Sequence, residues 1–219
     1  MSSSEITPIA FIKAMMVHVP FDGWTEAAMQ TTAGQLGLSA SQVAELFPQG
    51  ITELVEIWSD DIDRYVAEIF VNRFAEDLDN MPVHMKIREL LLIRFEVLQR
   101  NKEAVRKIAA FMARPAQAKL GSKLLYKTLD RVWRIAGDRS TDYNFYTKRA
   151  TLAAVYGSTM LAFWDDDTSD MQKTRAFLDR RLQDVARVSK ATKPLKARLS
   201  VIGRMLKGGF SMRRNTGGS

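Results

Sequence analysis

The stretch Ala136 to Ala150, AGDRSTDYNFYTKRA, concentrates reactive side chains in a chain that otherwise repeats helical patterns. Asp138, Asp142, Tyr143, Tyr146, Lys148 and Arg149 are residue types that could form an acid–base set. No Ser-His-Asp set can be assembled there, because the two histidines, His18 and His84, lie far along the chain. The same residues also fit a helix junction. Gly137 ends one helix, Ser140 or Thr141 accepts the first free amides of the next, and Asp142 sits in its first turn. Lys148 and Arg149 then fall further along, on the wet face. That account leaves Trp133, Tyr143, Phe145 and Tyr146 unexplained, and aromatics beside charges are typical of a protein contact patch. Catalysis through Asp138 or Asp142, partner recognition and a purely structural junction therefore all stand as readings.

Other chemistry has less to build on. The run DDDTSD, Asp165 to Asp170, lacks the glycine and distal glutamate of a calcium loop and reads as a solvated helix start. Neither histidine has ligand spacing, and zero cysteines remove thiolate metal sites, thiol catalysis and disulfides. No metal and no cofactor is expected.

The elements that must carry these residues are helices. In ITELVEIWSDDIDRYVAEIFVNRF the positions Ile51, Leu54, Val55, Trp58, Ile62, Tyr65, Val66, Ile69 and Phe70 form one apolar stripe. VHMKIRELLLIRFEVLQ repeats the pattern with Ile87, Leu90, Leu91, Arg94 and Leu98. Two more helices break near Arg114-Pro115, and a further pair flanks the acidic turn. No strand-length alternation is present, so the fold class is all-α, with the short connections of an antiparallel bundle.

The beginning has its own grammar. A helix from about Thr25 ends at Gly37, Ser39 or Ser41 caps a short one, and Val43, Leu46 and Phe47 face inward. This is a helix-turn-helix layout ahead of a bundle, as in regulators of the TetR type. Charge argues against DNA. Trp24 to Gly50 holds Glu26 and Glu45 and no cation, and the first eighty residues carry three cations against thirteen acids. DNA affinity rests largely on phosphate neutralisation. The net charge of +7 is thus segregated, since from Arg187 onward there are nine cations and no acid.

That basic end contains KPLKARLSVIGRMLKGGF, in which Leu195, Leu199, Ile202, Leu206 and Phe210 share one arc of about 80° on a helical wheel. Lys193, Lys196, Arg204 and Lys207 flank or oppose them. The segment reads as a helix lying on an anionic membrane, or as a last bundle helix. No apolar run reaches the ~18 residues of a membrane span, and the start lacks the cationic region of a secretory signal. The expected location is cytoplasmic, peripheral on the inner face of the cell membrane. Met15, Met16, Met29, Met81, Met85, Met112 and Met160 add an adaptable interior that could surround a long apolar ligand.

The sequence TLDRVWRIAGDRSTDYNFYTKRATLAAVYGSTM, with TRAFLDRRLQD after the acidic turn and HVPFDGWTEAAM upstream, resembles the ubiquinone-biosynthesis accessory family called coenzyme-Q protein nine, in its bacterial form. The resemblance covers most of residues 7–188. It implies a TetR-like fold without DNA binding, and lipid-binding homodimers that present quinone intermediates to a hydroxylase and meet the membrane through a C-terminal amphipathic helix. It places Trp133, Gly137, Asp138, Thr141 and Asp142 on the partner surface; where animal relatives carry aromatics after the tryptophan, this chain has Arg134 and Ile135.

The resulting expectation is a non-enzymatic lipid carrier for ubiquinone synthesis. Residues 1–50 form the helix-turn-helix-like segment, 51–189 the ligand bundle, 190–210 the membrane helix and 211–219 a tail. Leu91, Phe95, Phe111, Leu125, Leu129, Leu152, Tyr156 and Met160 would line an isoprenoid, quinone or phospholipid chain. Leu195, Lys196, Leu199, Ile202, Arg204, Leu206, Lys207 and Phe210 would meet the membrane. The alternative is a ligand-responsive transcription regulator of the TetR type.

Overall fold

The computed structural model describes residues 6–138 and 143–188, and every regular element among them is a helix. The first four are α1 (Pro8–Met15), α2 (Val19–Asp22), α3 (Glu26–Leu36) and α4 (Ala40–Leu46). Local chemistry sets their ends. The Thr25 hydroxyl accepts from the Ala28 amide at 3.2 Å, and Gly37, at φ 67°, stops α3 in the left-handed region that favours glycine. Ser39 and Gln42 form a capping box at the start of α4. These boundaries match the sequence pattern. Phe47 is buried as expected, but Val43 and Leu46 are half-buried, and no residue of α4 is buried.

Next come α5 (Ile51–Phe74), α6 (Val83–Gln99), α7 (Lys102–Met112), a 3₁₀ turn at Pro115–Gln117, α8 (Ala118–Ile135), α9 (Tyr143–Trp164) and helical residues 172–188, here α10. Gly50, at φ 59°, leads into α5, and a side chain there would meet the Glu26 carboxylate at 2.9 Å. That carboxylate accepts from the Ile51 amide at 3.2 Å, so Glu26 serves the start of the long helix.

Two apolar clusters hold the helices together. The first joins α1–α4 to Leu54 and Val55 of α5, Ile108 and Phe111 of α7, and Leu120 and Leu124 of α8. The Trp24 indole N–H donates to the Ala104 carbonyl at 3.1 Å across this layer. The second, larger cluster is built from α5, α6, α8, α9 and α10, and half-buried Trp58 packs against both. None of the described helices is long and apolar enough to cross a membrane.

Three expectations need correction. Tyr65, assigned to the apolar stripe of α5, is 40% exposed, while Asp63 is buried. Arg149, expected on the wet face, is 5% exposed. The acidic turn is not simply solvated. Asp166 is 2% exposed and accepts from the Thr168 amide and hydroxyl and from the Thr174 amide and hydroxyl, at 2.5–3.0 Å. For Asp63, Arg149 and Asp166 a partner distant in sequence or across a turn accompanies the burial.

Candidate functional site

Two places bring functional residue types together. The first is the interior of the larger cluster. Leu91, Phe95, Leu129, Leu152 and Tyr156 are buried in it, and Leu125 and Met160 pack against it half-buried. Phe95 stacks on Tyr156 with ring centres 5.6 Å apart and tilts against Phe163 at 5.3 Å. Phe111 does not join them; it lies in the cluster beneath α1–α4.

A polar network runs through this apolar interior. Arg94 of α6 is 7% exposed and its guanidinium binds the buried Asp63 carboxylate of α5. Arg94 Nε donates to the Tyr156 hydroxyl at 3.0 Å, and the Thr128 hydroxyl donates to Asp63 at 2.9 Å. Four helices, α5, α6, α8 and α9, meet at this joint. Burial alone would lower the guanidinium pKa, yet Tyr156 and Asp63 together hold it above its ordinary value. The sequence pattern placed Arg94 on an apolar stripe, and that anomaly was the available signal.

The second place is the junction of α8 and α9. Asp130, one turn from the end of α8, accepts from Arg149 at 2.6 Å and from Arg134 at 2.6 Å. Burial pushes the Asp130 pKa up, but these two arginines outweigh it and hold the carboxyl below its usual range. Asp138, whose side chain is 5% exposed, pairs with Lys148 at 2.7 Å and with Arg149 at 3.4 Å. The Lys148 ammonium also sits 5.3 Å from the centre of the half-buried Trp133 ring. The Trp133 indole N–H is buried with no hydrogen-bond partner among the described residues. Gly137, at φ 95°, turns the chain after α8. Trp133, Gly137 and Asp138 thus converge, while Thr141 and Asp142 lie outside the described residues. So do Leu195, Lys196, Leu199, Ile202, Arg204, Leu206, Lys207 and Phe210.

The carboxylate–cation pairing at this junction leaves Asp138 engaged by two cations, a poor setting for a general base. It suits a rigid corner that presents neighbouring side chains. Among the described residues, no group of three or more His, Asp or Glu is placed to hold a metal ion.

Comparison with known proteins bears on this same corner. Residues 118–189 match the family model described as COQ9. The resemblance is to COQ9. The matched region includes α8, α9 and α10, and with them the whole Asp130–Asp138–Lys148–Arg149 network. The human relative, ubiquinone biosynthesis protein COQ9, mitochondrial, is 27% identical over 199 residues, covering 89% of this chain and 62% of its own length. The rat COQ9 relative is 27% identical, covering 89% of this chain and 64% of itself. The Schizosaccharomyces pombe coq9 relative is 27% identical, covering 82% and 72%. The chain therefore spans about 62% of the human COQ9 sequence. The fold is TetR-like: a TetR transcriptional regulator from Nitrosomonas europaea superposes with a TM-score of 0.66 at 18% identity, covering 82% of this chain and 97% of that one.

Three carboxylates with depressed pKa values predict acid sensitivity. In Asp166 burial works against ionisation, but the Thr168 and Thr174 donors prevail and the carboxyl lies well below its ordinary pKa. Asp130 is likewise depressed, and Glu96 is held down by Arg73 and Arg175 against its own burial. A depressed folded-state pKa adds stability above the unfolded value and loses it as pH falls. Unfolding monitored by circular dichroism is expected to hold a steady urea midpoint above about pH 5 and to fall steeply below about pH 4. Asp166→Asn should flatten that fall.

Proposed function

We propose that this chain is a non-enzymatic, lipid-binding accessory protein of ubiquinone biosynthesis, which presents an isoprenoid or quinone intermediate to a membrane-associated hydroxylase. The reading draws on the likeness to ubiquinone biosynthesis protein COQ9 of human and rat. The observation that carries it is the gathering of Leu91, Phe95, Leu129, Leu152 and Tyr156, from three different helices, into one apolar cluster. Each methylene of a prenyl chain exposed to water costs about 0.8 kcal/mol, so an apolar interior that accepts such a chain has clear use. Trp133 and the corner after it form the partner surface in this proposal, with Arg134 and Tyr146 exposed beside it.

The protein acts as a homodimer on the inner face of the membrane in the same reading. Tyr146, Ala150, Ala154, Gly157 and Leu161 make an exposed, uncharged stripe along α9, spaced by three and four, as a helix–helix contact requires.

The test is extraction of the purified full chain and mass spectrometry of bound lipids. A prenylated quinone or other long-chain lipid, retained by the parent and reduced in Leu152→Trp, is the expected result. A protein devoid of lipid after mild purification from a quinone-producing host would overturn the proposal. The TetR-like fold keeps one competitor, a ligand-responsive regulator. Tight, salt-sensitive binding to a specific DNA site would favour that one instead.

A further inference from the structure

The contact between α5 and α8 is an ionic ladder with one rung that does not close. Taken one helical turn at a time, α5 offers Glu56, Asp60 and Arg64, and α8 offers Lys123, Lys127 and Arg131. The first rung is a close pair, Lys123 to Glu56 at 2.6 Å. The second is looser, Lys127 to Asp60 at 3.4 Å. The third has a guanidinium on both sides. Arg64 is drawn to Asp61 on its own helix. Arg131 is half-buried and makes no ion pair among the described residues; its hydrogen bond there runs from Nη1 to the Asp60 carbonyl at a long 3.4 Å. A cation partly withdrawn from water without a counter-charge favours an anion beside it.

Both arginines line a groove of about 600 Å³, well inside the ordinary size of a small-molecule site, about 300–1,000 Å³. Pro8 and Ile9 of α1 and Ile57 and Ala67 of α5 give it half-buried apolar walls. Asp60 and Asp61 also border it, but Lys127 and Arg64 engage their carboxylates. What remains is an apolar surface with an unspent guanidinium fork at its edge. Two parallel N–H donors of such a fork match the two oxygens of a carboxylate.

We propose that this groove binds a single-chain amphiphile with a carboxylate head, a fatty acid in chemical class. The head pairs with Arg131, beside Arg64, and the chain lies over Ile9 and Ile57. A bare anion would gain nothing from the apolar walls, and an uncharged chain would leave Arg131 without its counter-charge. The site is separate from the apolar interior, since none of Leu91, Phe95, Leu129, Leu152 and Tyr156 lines it. It goes beyond the lipid-carrier reading and stands without it. Its occupant touches α1 of the first layer and α5 and α8 of the bundle at once.

Nuclear magnetic resonance of the nitrogen-15-labelled full chain, titrated with decanoate below its micellar concentration, reads the site directly. Shifts are expected at the amides of Ile9, Ile57 and Ala67 and at the Arg131 Nε–H. Decanol should bind about tenfold more weakly, the effect of losing charge-assisted hydrogen bonds. Arg131→Gln should weaken decanoate by a similar factor. Ala67→Trp, which fills the groove from a half-buried wall position, should abolish the shifts, with the circular dichroism of both variants unchanged. Equal decanoate affinity in Arg131→Gln and the parent, shifts at Leu91, Phe95 and Tyr156 in place of the groove, or no binding would overturn the proposal. Groove shifts in a chain that yields no lipid on extraction would uphold it while sinking the lipid-carrier reading, and shifts confined to the interior would do the reverse.

Discussion

Replacing Asp63 by Ala is expected to cost about 3–5 kcal/mol of folding stability, the usual penalty for stripping one partner from a buried ion pair. The change strands the Arg94 guanidinium, 7% exposed, among Leu90, Leu91 and Phe95, with the Tyr156 hydroxyl to accept from its Nε. It also removes the acceptor of the Thr128 hydroxyl. For a chain of this size 1 kcal/mol corresponds to about 2–4 °C, so the midpoint should drop by at least about 6 °C. The loss comes from the orphaned charge more than from the pair itself. Arg94→Met with Asp63→Leu, which removes both charges and keeps apolar volume, is therefore expected to recover most of it. A thermal melt of the parent and the two variants decides the matter: a double variant as unstable as Asp63→Ala alone would show that the joint is valuable in itself.

The second large effect concerns the basic tail. Ending the chain at Ser189 is expected to lower the affinity for phosphatidylglycerol vesicles by roughly a thousandfold. Each cation near an anionic surface contributes about 1 kcal/mol; the truncation removes eight cations, and the four that flank the apolar arc, Lys193, Lys196, Arg204 and Lys207, account for the thousandfold by themselves. Full-length Lys196→Glu with Lys207→Glu should reproduce a large part of the loss and weaken the salt dependence of the residual binding. Co-sedimentation provides the readout, and equal pelleting of the parent and both variants would remove the membrane from the proposed function.

Much of the fold could be read directly because its causes are local. Thr25, Gly37, Ser39 and Pro115 act within a few residues of themselves, and the boundaries they predict are those observed. Periodicity likewise found α5 and α6, since the stripe that packs is written along one element. What escaped was non-local. Asp63 is buried because Arg94, thirty-one positions on, needs a counter-charge; a wheel drawn for α5 alone rates the aromatic Tyr65 the better interior residue. Arg149 was read as solvated because its partners, Asp130 and Asp138, sit on the other side of a chain reversal. The same reversal gathers Trp133, Gly137 and Asp138. Seven of the eight interior candidates lie in or against one cluster, and Phe111 departs because α7 turns its apolar face toward the helix-turn-helix layer.

The way α10 is fastened has a mechanical consequence. Asp179 grips Arg88 through both carboxylate oxygens at 2.5 and 2.9 Å, and Arg175 reaches Glu96 at 2.8 Å. Both anchor points are on α6, the helix that also carries Leu91, Arg94 and Phe95. Any tension applied beyond residue 188 is thus delivered first to the wall of the apolar interior. A pull on the end of α10 becomes a lever on the larger apolar cluster, with two ionic rivets as its fulcrum.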